Sequence, residues 1–443
     1  MPRLFGTDGI RGVANVELRP TLAYGLGRAT AARLLSGGES LLVGQDTRRS
    51  GDMFVAAIVA GACSMGVDVH RLGVCPTPAL AHLTGSGHFR AGIMVSASHN
   101  PAEDNGLKVL DDRGLKLDEP LEDELEALIW RAEELGGPGN SELGREVGAR
   151  GLLADYLAHR RGLAAAVSSD VRLVLDCANG SGGVVAPEIL AATGASVDVR
   201  FNEPDGMNIN AGCGATAPQA LARAVRETGA DLGFALDGDA DRCVAIDEHG
   251  QVVDGDQLIG LIALDRLARN ALPHGICVVS VLSNGGLEAA IREAGGRVAR
   301  TPVGDKYILE GMLVSGAGLG GEKSGHVIVL EHTTAGDGMV TALEVLSIVS
   351  RSGKRLSELA AQISLYPQQQ RTVPARHKEQ WEADPTFADA VNEAQRVLEG
   401  RGRVLVRPSG TEAALRIMVE GESEDQVAGL ADQLAALAGE RLN

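Results

Sequence analysis

A repeated unit of strand, helix and strand is the feature of this sequence that most limits its possible folds. Three stretches, which begin at Ser40, Val171 and Ile276, each start with an apolar run, pass through a polar or glycine-rich loop, continue as an alanine-rich helical pattern and end in a second strand pattern. The first run of each copy is too continuous for a half-exposed strand and is typical of a covered parallel sheet. Three spaced copies therefore predict three related α/β domains.

The C-terminal part of the chain has a different pattern. After residue 367 the sequence becomes polar and then reads as helix, strand, strand and helix, which predicts a small α+β domain with an antiparallel strand pair. The 443 residues are also too many for one hydrophobic core. We place the predicted domains at residues 1–150, 151–252, 253–367 and 368–443.

Composition and charge exclude several classes of function. The formal net charge of −18 repels nucleic acid, and the 3% of aromatic residues provides few rings on which bases could stack. No stretch is apolar enough to span a membrane, and the first residues lack the apolar core of a signal peptide. The six cysteines are scattered, as in reduced cytosolic proteins. We therefore expect a cytoplasmic protein that binds neither nucleic acid nor a membrane.

Three carboxylates lie close together in the segment LGFALDGDADRCVAID. Asp237, Asp239 and Asp241 occupy a short loop between two apolar runs, and they would repel one another unless a cation lay among them. Oxygen-only ligands suit a hard cation, so the loop predicts an Mg²⁺ site. An EF-hand is excluded, because Arg242 stands where that loop needs glycine and the flanking runs read as strands. A solvated acidic turn and a phosphatase with Asp237 as its nucleophile remain alternatives.

Three further polar loops offer reactive and binding groups. In GIMVSASHNPAEDNGLKV an apolar strand is followed by turn-forming residues, which predicts an exposed, shaped loop around Ser98, although an ordinary turn is an alternative. In GEKSGH the side chains suited to hydroxyl recognition are Glu322, Ser324 and His326. In LVRPSGTEAALRI two guanidinium groups, two hydroxyls and a glycine fit a phosphate dianion, or form only a polar turn. These residues are Arg407, Ser409, Gly410, Thr411 and Arg416.

Read in order, five motifs resemble the signature loops of the α-D-phosphohexomutase superfamily over the whole chain: FGTDGIRG, SASHNP, DGDADR, GEKSGH and RPSGTE. The segment NINAGCGAT most resembles the branch that acts on glucosamine phosphates. The resemblance implies an α/β fold of four domains, three related α/β units and a smaller α+β C-terminal one. It also implies an isomerase that interconverts glucosamine 6-phosphate and glucosamine 1-phosphate through a phosphoserine and a glucosamine 1,6-bisphosphate, which would supply cell-wall precursors.

The resemblance further implies a role for each loop. Ser98 would carry the phosphate, and Mg²⁺ would be bound by Ser98, Asp237, Asp239 and Asp241. The groups around the transferring phosphate would be Arg11, His99, Lys108 and Arg242. Lys108 and His326 would be the acid–base candidates. The sugar would be bound by Glu322, Ser324 and His326, and the other phosphate by Arg407, Ser409, Gly410, Thr411 and Arg416.

Some alternatives concern the same loops. A phosphomannomutase or phosphoglucomutase would use the same motifs, and a sensor of sugar phosphates would need neither Ser98 nor the three aspartates. Lys323 and Ala413 depart from the residues usual in the glucosamine branch, and Lys323 lies inside the sugar-recognition motif. Near the sugar it would repel a protonated amine, so we expect it to influence the choice of sugar. We expect a monomer or a homodimer with a small hexosamine phosphate as its substrate.

Overall fold

The computed structural model describes residues 3–36, 38–167, 170–409 and 413–443 of the chain. Its contacts form two compact units, of which the first extends to Leu282 and resumes at Ala294–Gln362. The second contains Ser283–Glu293 and Ile363–Asn443. Within the described ranges, no helix is both long and apolar enough to cross a membrane.

The N-terminal sheet carries the loop that contains Ser98. Its strands are β1 (Ile10–Val13), β2 (Ser40–Gln45), β3 (Asp68–Val74), β4 (Ala91–Val95), β5 (Asp104–Leu110) and β6 (Glu146–Gly148). Its helices are α1 (Pro20–Leu34), α2 (Gly51–Cys63), α3 (Thr77–Leu83) and α4 (Glu119–Trp130). The strand order is β1-β5-β4-β2-β3-β6, with β2 parallel to β3 and β4, and β5 antiparallel to β1 and β4.

The second sheet carries the loop with the three aspartates. Its strands are β7 (Arg172–Asp176), β8 (Ser196–Arg200), β9 (Leu232–Leu236), β10 (Cys243–Asp247) and β11 (Val252–Val253). Its helices are α5 (Leu153–Ala165), α6 (Ala186–Ala191) and α7 (Gln219–Thr228). The strand order is β11-β10-β9-β7-β8. Strands β9 and β10 are antiparallel, and the loop that connects them contains the three aspartates. Strands flank this loop, as the sequence predicts, and both are buried throughout.

The third sheet carries the GEKSGH loop. Its strands are β12 (Ile276–Ser280), β13 (Arg297–Thr301), β14 (Leu319–Gly321) and β15 (Val327–Val329). The helices in this part of the chain are α8 (Gly255–Ala268), α9 (Gly285–Glu293), α10 (Asp305–Ser315), α11 (Gly338–Ser352) and α12 (Leu356–Ala360). In the order β13-β12-β14-β15, the last two strands are antiparallel. The three repeated units are confirmed, because β2 and β3, β7 and β8, and β12 and β13 are parallel pairs.

The C-terminal sheet differs from the prediction by one strand. Its elements are β16 (Gln368–Pro374), α13 (Pro385–Val397), β17 (Gly402–Pro408), β18 (Ala414–Gly421) and α14 (Glu424–Arg441). The order β16-β18-β17 is antiparallel throughout, so the sheet has three strands where the sequence predicts a pair. The first strand is an edge strand whose side chains are mostly partly exposed, which is why it has no apolar run.

Candidate active site

The loop after β4 places the hydroxyl of Ser98 against the aspartate loop. Ser98 Oγ donates a hydrogen bond of 2.5 Å to Asp237 Oδ2. The backbone of Ser98 has a φ of 51°, which is uncommon for a residue other than glycine and often marks a functional site. The predicted exposure of this loop is wrong at Ser98 itself, which is fully buried. The reason is that the aspartate loop packs against it so closely that a Cβ on Gly238 would lie 2.6 Å from the Ser98 carbonyl oxygen.

Residues to which the sequence analysis assigned no role hold the Ser98 loop in place. Arg48 Nη2 donates to the carbonyl oxygen of Ser98 at 3.0 Å, and Asn210 Nδ2 donates to the same oxygen at 2.9 Å. Arg48 is in turn fixed by a buried ion pair with Asp46 at 2.9 Å. Asp46 also accepts a bond of 2.7 Å from Ser96 Oγ, and Ser96 Oγ accepts the Ser98 amide at 2.9 Å. Hydrogen bonds to both the amide and the carbonyl oxygen of Ser98 therefore stabilise its unusual backbone conformation.

The three aspartates have the geometry of a ligand set for a hard cation. Each is buried and contributes one carboxylate oxygen to a group in which all three oxygens lie within 4.8 Å of one another. Asp239 Oδ1 and Asp241 Oδ1 are buried and accept no hydrogen bond in the described structure. Buried carboxylate oxygens without partners are costly, and a cation such as Mg²⁺ would satisfy them. The residues present therefore fit the predicted metal.

The aspartates differ in their electrostatic surroundings. Burial, together with the charges of Asp241 and Asp239, raises the pKa of Asp237 well above its usual range. Burial also acts on Asp241, but the positive charges of Lys108, His326 and Arg242 outweigh it and lower the pKa of that carboxyl. A bound cation would offset the repulsion from Asp239 and Asp241 that helps to raise the pKa of Asp237.

The amine of Lys108 lies among three carboxylates. Its Nζ is 3.0 Å from Asp239 Oδ2, 3.1 Å from Asp8 Oδ2 and 3.8 Å from Asp241 Oδ2. Burial favours the neutral amine, but these three charges outweigh it and raise the pKa of Lys108. Lys108 thus places a positively charged group beside the aspartate loop.

A second lysine joins the N-terminal loop to helix α10. Lys116 Nζ bonds to Asp305 Oδ2 at 2.5 Å and also contacts Asp8 Oδ1. Burial opposes the charged form, but Asp305 and Asp8 outweigh it and raise the pKa of Lys116. Sequence reasoning missed Asp8, Lys116 and Asp305. Asp8 lies inside the FGTDGIRG motif, which was the one available signal.

The GEKSGH loop meets the aspartate loop through its backbone. Arg242 and His326 form an isolated antiparallel bridge, and the amide of Cys243 donates to the Gly325 carbonyl at 3.0 Å. His326 Nδ1 is 3.7 Å from Asp241 Oδ2, and His326 Nε2 accepts the Gly336 amide at 3.1 Å. Burial lowers the pKa of His326, but Asp241 and Asp305 outweigh it and raise that pKa. The bond to Gly336 opposes this rise, because only a neutral imidazole can accept it.

The other residues of this loop lie in different environments. Glu322 Oε1 accepts the Gly304 amide at 3.1 Å, and Ser324 Oγ is buried without a hydrogen-bond partner in the described structure. The side chain of Lys323 is exposed, and its Nζ lies 4.0 Å from Asp254 Oδ2 at the start of α8. Lys323 is also absent from the lining of the cavity beside the aspartates. Its expected position next to the sugar is therefore not supported.

That cavity has a volume of about 400 Å³. Its charged lining includes the predicted residues Arg11, His99, Asp241, Arg242, Glu322 and His326, and also Asp8 and Asp305. Arg11 Nη1 donates to Asn100 Oδ1 at 2.8 Å, and the other end of its guanidinium contacts Asp8. His99 Nδ1 is 3.5 Å from Ser98 Oγ. Burial, with the charges of Arg242 and Arg11, lowers the pKa of His99 to about 4.

The predicted phosphate-binding residues belong to the second unit. Arg407 on β17 and Arg416 on β18 are cross-strand partners, so their like charges lie side by side. Burial and the charge of Arg416 lower the pKa of Arg407. Ser409 is buried, and its Oγ has no hydrogen-bond partner among the described residues. Gly410 and Thr411 lie outside the described residues. Paired guanidinium groups with a hydroxyl suit a phosphate dianion.

Four family models match the chain in sequence order. They are the α/β/α domains I, II and III of phosphoglucomutase/phosphomannomutase, at residues 2–136, 154–250 and 254–366, and the C-terminal domain of the same family, at residues 370–437. Together with the four sheets, these matches define the class of the protein as a four-domain phosphohexomutase.

Curated relatives narrow the class. The chain is 49% identical to the phosphoglucosamine mutase of Moorella thermoacetica, over 97% of this chain and 98% of that protein. It is 46% identical to the phosphoglucosamine mutase of Desulforamulus reducens, over 99% of this chain and 100% of that protein. The chain therefore belongs to the phosphoglucosamine mutase family.

Solved structures share the fold over the full length. A phosphoglucomutase/phosphomannomutase family protein from Burkholderia thailandensis matches with a TM-score of 0.85 and 26% identity, over 100% of this chain and 98% of that one. The N-acetylphosphoglucosamine mutase of Aspergillus fumigatus, solved in complex with GlcNAc-6P and magnesium, matches with a TM-score of 0.70 and 21% identity, over 99% and 96% of the two chains. At that identity the second match shows the fold alone.

Proposed function

We propose that the protein is an isomerase that interconverts glucosamine 6-phosphate and glucosamine 1-phosphate by two phosphoryl transfers through Ser98. The observation that carries this proposal is the hydrogen bond of 2.5 Å between Ser98 Oγ and Asp237 Oδ2, which places the hydroxyl at the edge of the three-aspartate loop. Asp237, Asp239 and Asp241, together with a phosphoryl oxygen on Ser98, would hold Mg²⁺, which would supply positive charge at the transferring group.

Ser98 gives up the phosphoryl group in the first transfer and receives one in the second. In the first, the bond between phosphorus and the Ser98 oxygen breaks while a sugar hydroxyl oxygen bonds to phosphorus, and the proton lost by that hydroxyl is balanced by the proton that Ser98 Oγ gains. In the second, the other phosphate of the glucosamine 1,6-bisphosphate returns to Ser98. Catalysis of such steps rests on positioning and on charge stabilisation, for which Arg11, Arg242 and Lys108 are the fixed cations.

The acid–base assignment follows from the surroundings of the two candidates. Lys108 keeps its proton because Asp239 and Asp8 contact its amine, so we assign it the part of a fixed charge. His326 is neutral when it accepts the Gly336 amide at Nε2, and its remaining proton is then held on Nδ1. We propose that His326 donates a hydrogen bond from that atom to the reacting sugar oxygen and keeps its proton, because a neutral imidazole is too weak an acid to release it.

Two groups of residues have proposed roles in binding the substrate. Glu322, Ser324 and His326 would bind sugar hydroxyls, and Arg407, Ser409, Gly410, Thr411 and Arg416 would bind the phosphate that is not reacting. Support for an amino sugar comes from Glu322 in the lining of the cavity beside the aspartates, because its carboxylate accepts one backbone amide and would attract a protonated amine. Asp8 and Asp305 also line this cavity, but lysines already contact both carboxylates.

A side-by-side coupled assay tests this proposal. We expect kcat/KM to be higher for glucosamine 6-phosphate than for the 6-phosphates of glucose and mannose, and we expect Ser98→Ala to abolish turnover of all three. A higher kcat/KM for the glucose or mannose phosphate would favour a phosphoglucomutase or phosphomannomutase. Full turnover by Ser98→Ala would exclude Ser98 as the carrier of the phosphate.

A further inference from the structure

We propose that a buried cluster of Asp337, Arg160 and Tyr156 positions His326 for the reaction. The inference rests on the proposed function, in which His326 acts at the reacting sugar oxygen. None of the three residues lines the cavity beside the aspartates, and none belongs to the loops that the sequence motifs define. They are positioning residues that act through the neighbouring loop.

Asp337 is the centre of the cluster. All three side chains are completely buried. Asp337 Oδ2 accepts hydrogen bonds of 2.9 Å from the Tyr156 hydroxyl and 2.9 Å from Arg160 Nε, and Arg160 Nη2 is also 2.9 Å away. The other carboxylate oxygen accepts the amides of Met339 and Val340 at the start of α11, at 2.9 and 3.1 Å. Asp337 therefore ties helix α5 to the first turn of α11.

The residues on either side of Asp337 contact the active site directly. The Gly336 amide donates to His326 Nε2 at 3.1 Å, and the Gly338 amide donates to the Ala240 carbonyl in the aspartate loop at 3.0 Å. A Cβ on Gly336 would lie 2.5 Å from the Asp241 carbonyl oxygen, so the backbone approaches this loop as closely as glycine allows. Three consecutive residues thus link α5 to both catalytic loops.

The bond from Gly336 determines the state of the imidazole. An amide that donates to Nε2 requires an unprotonated Nε2, and this leaves the ring proton on Nδ1, which faces Asp241. Because Gly336 is adjacent to Asp337, a shift of that carboxylate would move the amide that orients the ring. A buried ion pair contributes little to stability on average, so positioning is a better account of why Arg160 and Asp337 are paired here.

The mildest test is Tyr156→Phe, which removes one hydrogen bond to Asp337 and keeps the aromatic ring. We expect kcat for glucosamine 6-phosphate to fall about tenfold, as is common when a group that orients a catalytic side chain loses its partner, with KM almost unchanged. The matched control is Tyr24→Phe, since the Tyr24 hydroxyl also contacts an arginine, Arg28, at 3.3 Å, but in the N-terminal domain. This control should leave kcat unchanged.

A double-mutant cycle separates positioning from a general structural effect. In a His326→Ala background, Tyr156→Phe should no longer lower kcat, because its target is gone. An equal loss of kcat in both backgrounds, or no loss in the wild-type background, would overturn the proposal. If the wild-type enzyme does not convert glucosamine 6-phosphate at all, or His326→Ala keeps full kcat, the proposed function or the assigned role of His326 fails instead.

Discussion

The carboxyl groups of the aspartate loop differ in the direction of their pKa shifts. The pKa of Asp237 is raised by burial and by its two neighbours, whereas that of Asp241 is lowered despite burial, because Lys108, His326 and Arg242 are close. Bound Mg²⁺ would lower the raised pKa of Asp237, so we expect the affinity for Mg²⁺ to rise with pH.

Asp239→Asn tests the metal assignment. Asp239 Oδ1 is buried without a hydrogen-bond partner in the described structure, as expected for an atom that binds a metal. The variant removes the negative charge of this ligand. Metal stabilisation of the transferring group contributes several kcal/mol, so kcat should fall by orders of magnitude. Calorimetric titration with Mg²⁺ should show weaker binding in parallel.

A matched control is available in a second group of possible metal ligands, Glu331, His332 and Glu344. Arg266 already bonds to Glu331 at 2.6 Å and to Glu344 at 2.8 Å, so a positive charge from the protein itself occupies this group. Glu331→Gln should therefore leave the dependence of activity on Mg²⁺ unchanged. Normal turnover of Asp239→Asn in the presence of a chelator would show that the aspartates do not hold the metal.

Residues close in sequence were predictable, and residues joined only by the fold were not. Ser98 and the three aspartates stand in short motifs whose chemistry is visible in the sequence. Lys116 meets Asp8 and Asp305, which are 108 and 189 residues away, and no local pattern indicates such a pairing.

At the scale of elements, the loop around Asn208–Thr216 supports the Ser98 loop. Asn210 Nδ2 donates to the carbonyl oxygens of Ser98 and Asn100, at 2.9 and 3.2 Å. In the sequence, the motif NINAGCGAT indicated only a branch of the family. The structure shows that this segment also supports the backbone of the Ser98 loop. Strand β16 could not be predicted, because a partly exposed edge strand of polar residues has no sequence pattern that distinguishes it from a linker.

Asn210→Ala should weaken the support of Ser98. The loss of two hydrogen bonds to the loop should cost on the order of 1–2 kcal/mol, so we expect phosphoryl transfer in a single turnover to slow about tenfold. Asn208→Ala is the control in the same segment, because the Asn208 side-chain amide donates to Glu203 instead, at 2.9 Å. If both variants transfer phosphate equally fast, Asn210 does not support Ser98.

At the scale of the whole molecule, the sequence predicted the four-part architecture but not how contacts group its parts. Helix α9 lies in the third repeat by sequence, yet residues Ser283–Glu293 belong to the second unit. The side-chain amide of Asn284 contributes to this grouping, because it bonds to the backbone of Tyr366 at 2.9 and 2.8 Å. The boundaries near residues 150, 252 and 367, the cytoplasmic location and the state of monomer or homodimer stay predictions.

The central claim is that phosphate passes between Ser98 and an amino sugar. The most direct measurement is intact-mass and peptide analysis of the phosphorylated enzyme before and after one turnover with glucosamine 6-phosphate. We predict an acid-stable phosphate on Ser98 that moves to the sugar and appears as glucosamine 1,6-bisphosphate. An acid-labile phosphate on Asp237, released to water as inorganic phosphate, would contradict this account and favour a phosphatase.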